Sequence, residues 1–248
     1  MGHLFLVCSL FLGTTGPAKV IDSYAEGCKS AKANKRMLLI DFGTGVDLSQ
    51  IEREHFRSMD ICKLPAGYTT TVDGTKQTLS LHPSFSDMGG SEGVIVIDFK
   101  NDAYMGMVVS ALPARHCTPY NVAALLDLPA ATLTQRTMIW ALRVHPEHPR
   151  SAWGTPCPQL MDHAARHSQV QANSNHQHHN MPMGIAQSEI VAESWSWNTN
   201  MVDAALDMVH AWRQSSGHWG AACRPYNWIG YDMKTIGNKW FATGVFRF

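Results

Sequence analysis

Residues 173–180 read NSNHQHHN, which sets His176, His178 and His179 within four positions. Five of the thirteen histidines fall between His163 and His179. Imidazole is the commonest metal-binding side chain and the one that exchanges protons near neutral pH. The cluster therefore fits a metal or catalytic centre, and equally a polar ending to a helix. A second pair, His145 and His148, is interrupted by Pro146, which precludes regular helical i,i+3 pairing and suits a surface segment. The cysteines, at 8, 28, 62, 117, 157 and 223, form no CxxC, so a cysteine zinc site is disfavoured. Cys157 and Cys223 are close enough in the chain to pair within one half, and buried free thiols are the alternative. Six tryptophans, at 195, 197, 212, 219, 228 and 240, gather in the C-terminal half. Exposed, they would suit carbohydrate or lipid; the alternation of Trp195 and Trp197 on a strand favours burial.

These residues need elements to position them. Residues 21–34 have helical spacing at Tyr24, Cys28 and Ala31. MLLIDFGT, 37–44, is a continuous apolar run that reads as a buried strand, and 48–60 reads as a helix. GVIVIDF, 93–99, and YMGMVVS, 104–110, read as two further strands turning at Asn101-Asp102. A helix over 119–128 opens with Thr118 as cap and Pro119 in its first turn. Residues 129–157 begin with a helix through Ala141 and become proline-rich, which marks a connection between two domains. Pro158 to His176 reads as a helix with Leu160, Ala164, His167 or Ser168 and Gln171 on one stripe, so the histidine cluster runs off its end. A strand near 189–195, a helix over 201–214 ending in the turn SSGH, and a hairpin of NWIGYDM and KWFATGVFRF close the chain. Strands alternating with helices give an α/β fold class.

Composition bounds the function. The 248 residues carry 20 basic and 20 acidic side chains and a formal net charge of zero. That leaves no electrostatic footprint for nucleic acid or an anionic membrane. Leu4 to Leu12 is apolar but too short to cross a bilayer, and small residues follow it. Residues 1–18 therefore read as a signal peptide, with a buried strand as the competing reading because the segment lacks Lys and Arg. The expectation is a secreted or periplasmic protein with no stable membrane span.

Over residues 20–128 the chain resembles a thioredoxin-like domain, through KSAKANKRMLLIDFGT, GGSEGVIVIDF and the closing hairpin and helix. It departs from that family where a CxxC would follow the first core strand: Gly43-Thr44-Gly45-Val46-Asp47 stands there, and Glu92 stands where the family has a cis-proline. Dithiol exchange needs an attacking and a resolving thiol, so the domain is expected to be redox-inactive, with Cys62 or Cys117 as the remaining lone nucleophiles.

Over residues 158–248 the chain resembles the CAP superfamily of cysteine-rich secretory, antigen and pathogenesis-related proteins. Four segments carry the likeness in order: HSQVQANSNHQHH, SEIVAES, AWRQSSGH and WIGYDM…KWFATGVF. The resemblance implies an α-β-α sandwich with a cavity of two histidines and two glutamates that can hold a divalent metal such as zinc. The matching positions are His179, His218 and Glu189. The family's second glutamate would follow Trp212, where Arg213-Gln214-Ser215 stand, and Glu193 is the candidate replacement because it shares a strand face with Glu189. The expected ligand set is thus His179, Glu189, His218 and Glu193, the first three as metal ligands, with His176 and His178 as solvated neighbours. The implied function is non-enzymatic binding of a metal, a small or lipid-like molecule, or an extracellular protein. The alternative is a metal-dependent hydrolase using the same cavity.

Overall fold

A computed structural model describes residues 20–72, 74–194 and 200–248. The expected signal peptide, Trp195 and Trp197 lie outside the described residues. The fold is mixed α/β, with three sheets among the described residues.

The first half forms a five-stranded sheet in the order β1-β3-β2-β6-β7. Its strands are β1 (Val20–Ile21), β2 (Met37–Phe42), β3 (Met59–Leu64), β6 (Gly93–Asp98) and β7 (Met107–Pro113). The first three pair in parallel, and β6 and β7 add antiparallel strands beyond β2. β2 and β6 are buried at every residue, as continuous apolar runs inside a sheet require. Helix α1 (Tyr24–Ala33) is capped by Ser23, which accepts from the Glu26 amide. A small hairpin, β4 (Thr69–Val72) and β5 (Thr75–Thr78), stands apart as its own sheet.

The helix expected over 48–60 is replaced by two 3₁₀ turns, Leu48–Gln50 and Arg53–Phe56, followed by β3. β3 is inserted between β1 and β2, and a strand covered on both faces loses the alternation that would distinguish it. Helix α2 (Pro119–Leu126) has the expected start: Thr118 accepts from the Asn121 amide and Pro119 opens the first turn.

Helix α3 (Leu133–Arg143) occupies the segment expected to connect two domains, and it belongs to the core. Met138, Ile139, Trp140, Ala141 and Leu142 are all buried. One apolar cluster runs from Met37 and Val94 of the first sheet through these residues to Trp212 and Phe246. Fully buried Arg136 of α3 donates to Ser110 Oγ at 2.7 Å and to the carbonyls of Leu125, Leu128 and Pro129. Beyond α3 the His145–His148 turn projects, with Pro146, Glu147 and His148 exposed, as do Arg150 and Trp153.

The second half forms a four-stranded sheet, β8-β10-β11-β9. Its strands are β8 (Thr155–Pro156), β9 (Ser188–Glu193), β10 (Trp228–Ile236) and β11 (Lys239–Arg247). Helix α4 (Pro158–Ser174) lies against β10 and β11. The approach is close at Gly230, where a Cβ would meet the Leu160 carbonyl carbon at 2.2 Å. Ser168 and Gln171 of α4 reach Thr243 Oγ1 of β11 at 3.1 and 2.9 Å, pinning the helix over the sheet. On the opposite face Tyr231 packs against Trp212 of α5 (Met201–Gln214). A short helix, α6 (Ser216–Ala222), follows where a simple turn is expected, capped by Ser215.

Candidate metal centre at the edge of the second sheet

Three elements converge on edge strand β9. Helix α4 ends at Ser174, two residues before the expected end, because Asn175 adopts a left-handed conformation with φ 49°. Asparagine tolerates that geometry, and the chain turns back across the sheet edge. The His178 amide donates to Gln171 Oε1 and the Asn180 amide to Glu189 Oε2, which fixes the loop carrying the histidine cluster. From the other side, α6 presents His218, whose amide is capped by Ser215 Oγ.

Glu189 is the centre of the arrangement. Its side chain is 2% exposed. Oε1 lies 3.0 Å from His167 Nδ1 and 3.8 Å from His163 Nε2. Oε2 lies 3.0 Å from His179 Nδ1 and accepts the Asn180 amide at 2.9 Å. Burial, the largest single influence, pushes this carboxyl up, but His167, the Asn180 amide and His179 together bring it below the ordinary carboxylate value. An ionised carboxylate only accepts hydrogen bonds. His167 and His179 must therefore each carry a proton on Nδ1, and in its neutral form each ring keeps its lone pair on Nε2.

The His179 lone pair points at His218: the two Nε2 atoms are 3.3 Å apart and the ring centroids 5.4 Å. Burial and the neighbouring His179 hold His218 below the ordinary imidazole value, which favours its neutral, ligating form. In this pair either His218 donates to His179 or one cation accepts both lone pairs.

The expected residues are thus brought together in part. His179 meets both Glu189 and His218. Glu193 does not join them: it lies four residues further along β9 and pairs with Lys239 Nζ at 2.9 Å. Its place beside Glu189 is taken by His163 and His167, which the sequence reading did not single out. His163 is largely buried and His167 almost fully so, with side chains 14% and 1% exposed. His178 is also more than a solvated neighbour, because its ring packs edge-on against His167 at 5.0 Å. His176 is exposed.

The thiols lie elsewhere. The five described cysteines are all free, so Cys157 and Cys223 are not paired. Burial pushes Cys62 and Cys117 up to about 12, which opposes a thiolate at either lone nucleophile candidate. At the expected CxxC place, Asp41 Oδ1 accepts from the Thr44 amide and hydroxyl and holds the loop closed. A cleft of about 110 Å³ in the first half is lined by Tyr24, Leu79, His82, Phe85 and Ile97 among others, with no carboxylate or thiol.

Among the described residues no helix is long and apolar enough to cross a membrane. No family model, curated protein or solved structure matches this chain.

Proposed function

We propose that this protein is a secreted, non-enzymatic binding protein. In this reading a redox-inactive thioredoxin-like half precedes a CAP-like half, whose histidine–glutamate cavity takes a divalent metal such as zinc or a small or lipid-like ligand. The observation that carries the metal reading is the His179–His218 pair. Two nitrogens bound to one zinc at about 2.05 Å on tetrahedral axes lie about 3.3 Å apart. The two Nε2 atoms have that spacing. Glu189, holding His179 by its other nitrogen, then serves as the carboxylate behind a metal-bound imidazole rather than as a direct ligand. A zinc ion there would supply a Lewis-acidic, exchangeable position. The protein's own residues orient the imidazoles and leave the remaining coordination open.

Calorimetric titration of the chelator-stripped chain with zinc tests this reading. Wild type should bind, and His179→Ala/His218→Ala should lose the ion held at the mouth of the cavity. An unchanged isotherm in the double variant removes the mouth pair from the metal site.

A further inference from the structure

The mouth pair leaves two interior imidazoles unexplained. His163 and His167 lie one turn apart on α4, so their side chains project from the same face. Among the described residues their Nε2 atoms are buried and make no hydrogen bond. An unmatched buried nitrogen is costly, and two of them beside a buried carboxylate call for a shared partner. One ring nitrogen from each, and one oxygen of Glu189, all lie within 4.8 Å of one another.

We propose that His163, His167 and Glu189 form a second, interior binding position for a divalent cation, separate from the His179–His218 pair. Two histidines and one carboxylate are a complete protein ligand set for an open zinc-type site. Imidazole donors select zinc, cobalt or nickel over magnesium or calcium, which prefer all-oxygen shells. Ligands at about 2.0–2.2 Å on tetrahedral axes stand about 3.4 Å apart, so even the widest pair closes by about 1.4 Å at most. His163, with its ring at the edge of the core, is the side chain free to make that movement. The spacing HAARH resembles helical two-histidine zinc motifs in geometry, but Ala164 stands where a helical zinc protease carries its general-base glutamate. The interior ion is therefore structural or ligand-binding: it ties α4 to β9 and neutralises Glu189. The proposal shares only Glu189 with the mouth pair and does not depend on it.

The probe is zinc alone, with cobalt(II) as its spectroscopic substitute, added to the full chelator-stripped chain. Wild type should bind cobalt with a tetrahedral visible absorption that persists in His179→Ala/His218→Ala. His163→Gln should weaken interior binding by about 100-fold or more. Zinc should raise the melting temperature of wild type and of the mouth double variant, but not of His163→Gln. Histidine ¹⁵N spectra of wild type, which need no variant, should show a zinc-dependent change at both His163 and His167. The proposal is overturned if those two signals do not respond, if a folded His163→Gln binds zinc as wild type does, or if the mouth double variant binds none. Loss of the His179 and His218 responses with those of His163 and His167 retained would instead defeat the mouth reading alone.

Discussion

Replacing Glu189 by Gln changes one atom and tests the whole polar arrangement. The carboxylate accepts two imidazole Nδ1–H groups and one backbone amide. A carboxamide keeps one acceptor oxygen and turns an NH₂ donor toward the rest. If the oxygen stays with buried His167, the amide group faces the Asn180 N–H and His179, and both bonds are lost. A hydrogen bond to a charged group contributes about 1.5–3 kcal/mol, less where solvent competes as it does at half-exposed His179. The gross loss is about 3–4 kcal/mol. Part is offset because a neutral amide is cheaper to bury than a carboxylate. The expected net destabilisation is about 1–3 kcal/mol, a fall of about 3–10 °C in melting temperature for a chain of this size. Urea and thermal unfolding at pH 7 in the presence of a chelator measure it without a metal contribution. Histidine ¹⁵N spectra should show His179 losing its fixed Nδ1–H tautomer. A variant as stable as wild type, with both tautomers unchanged, would refute the assignment of Glu189 as the residue that orders this cavity.

Other perturbations probe how the site is positioned. Gly230→Ala drives a methyl into the Leu160 backbone, so α4 must lift from β10; a loss of about 3 kcal/mol and weaker zinc binding should appear together in unfolding and titration. Asn175→Val should cost about 1–2 kcal/mol because a β-branched residue resists φ 49°, whereas Asn175→Gly should be close to neutral, both read by urea midpoints. Asp203 links the halves by accepting from Arg115 and His116. Burial pushes its carboxyl up most, but His116 and Arg115 outweigh that and hold it below the ordinary value. Its stabilisation is therefore complete above the unfolded carboxyl value near 4 and lost as pH falls through the folded value. Asp203→Asn should cost about 1 kcal/mol at pH 7, and the gap to wild type should close on acidification below about pH 4. A gap that widens in acid would reverse the assigned sign.

The legible parts of the fold were those whose local signal agrees with their final surroundings. α2 announces itself by Thr118-Pro119, α5 by its apolar spacing, and β10–β11 by two aromatic-rich runs around Gly237. β3 was hidden because every residue of MDICKL but Lys63 is buried, Asp60 included, in a strand held between β1 and β2, a fact of sheet order rather than of local pattern. The β4–β5 hairpin carried a readable sign, Asp73-Gly74 between threonine-rich runs. At the site, His179, Glu189 and His218 could be named only through the order of four short segments. His163 and His167 had the local signal of i,i+4 spacing, but a histidine on an apolar helical stripe reads as core until the facing strand is known. What converts them into candidate ligands is Glu189, which lies 22 residues beyond His167 and reaches it only through the packing of α4 across the sheet.

The same geometry weighs binding against hydrolysis. A metal-dependent hydrolase needs a carboxylate or imidazole free to take a proton from an attacking water. Both Glu189 oxygens are occupied, one by His167 and the other by His179 and the Asn180 amide. Glu193 is neutralised by Lys239, and position 164, adjacent to His163 on the helix, is alanine. At the mouth the remaining base would be His218, held below the ordinary imidazole value and directed at His179 rather than at open space. If a cation occupies the mouth, that lone pair is spent on the metal. If none does, His218 donates to His179 and has no lone pair on Nε2 to offer. In either state the mouth residues can hold and orient a ligand while His218 is engaged, and the imidazoles whose Nε2 atoms make no hydrogen bond, His163 and His167, lie largely buried behind Glu189. A chelator-sensitive esterase or peptidase activity that survives His218→Ala would overturn this argument, because it would require a base outside the set described.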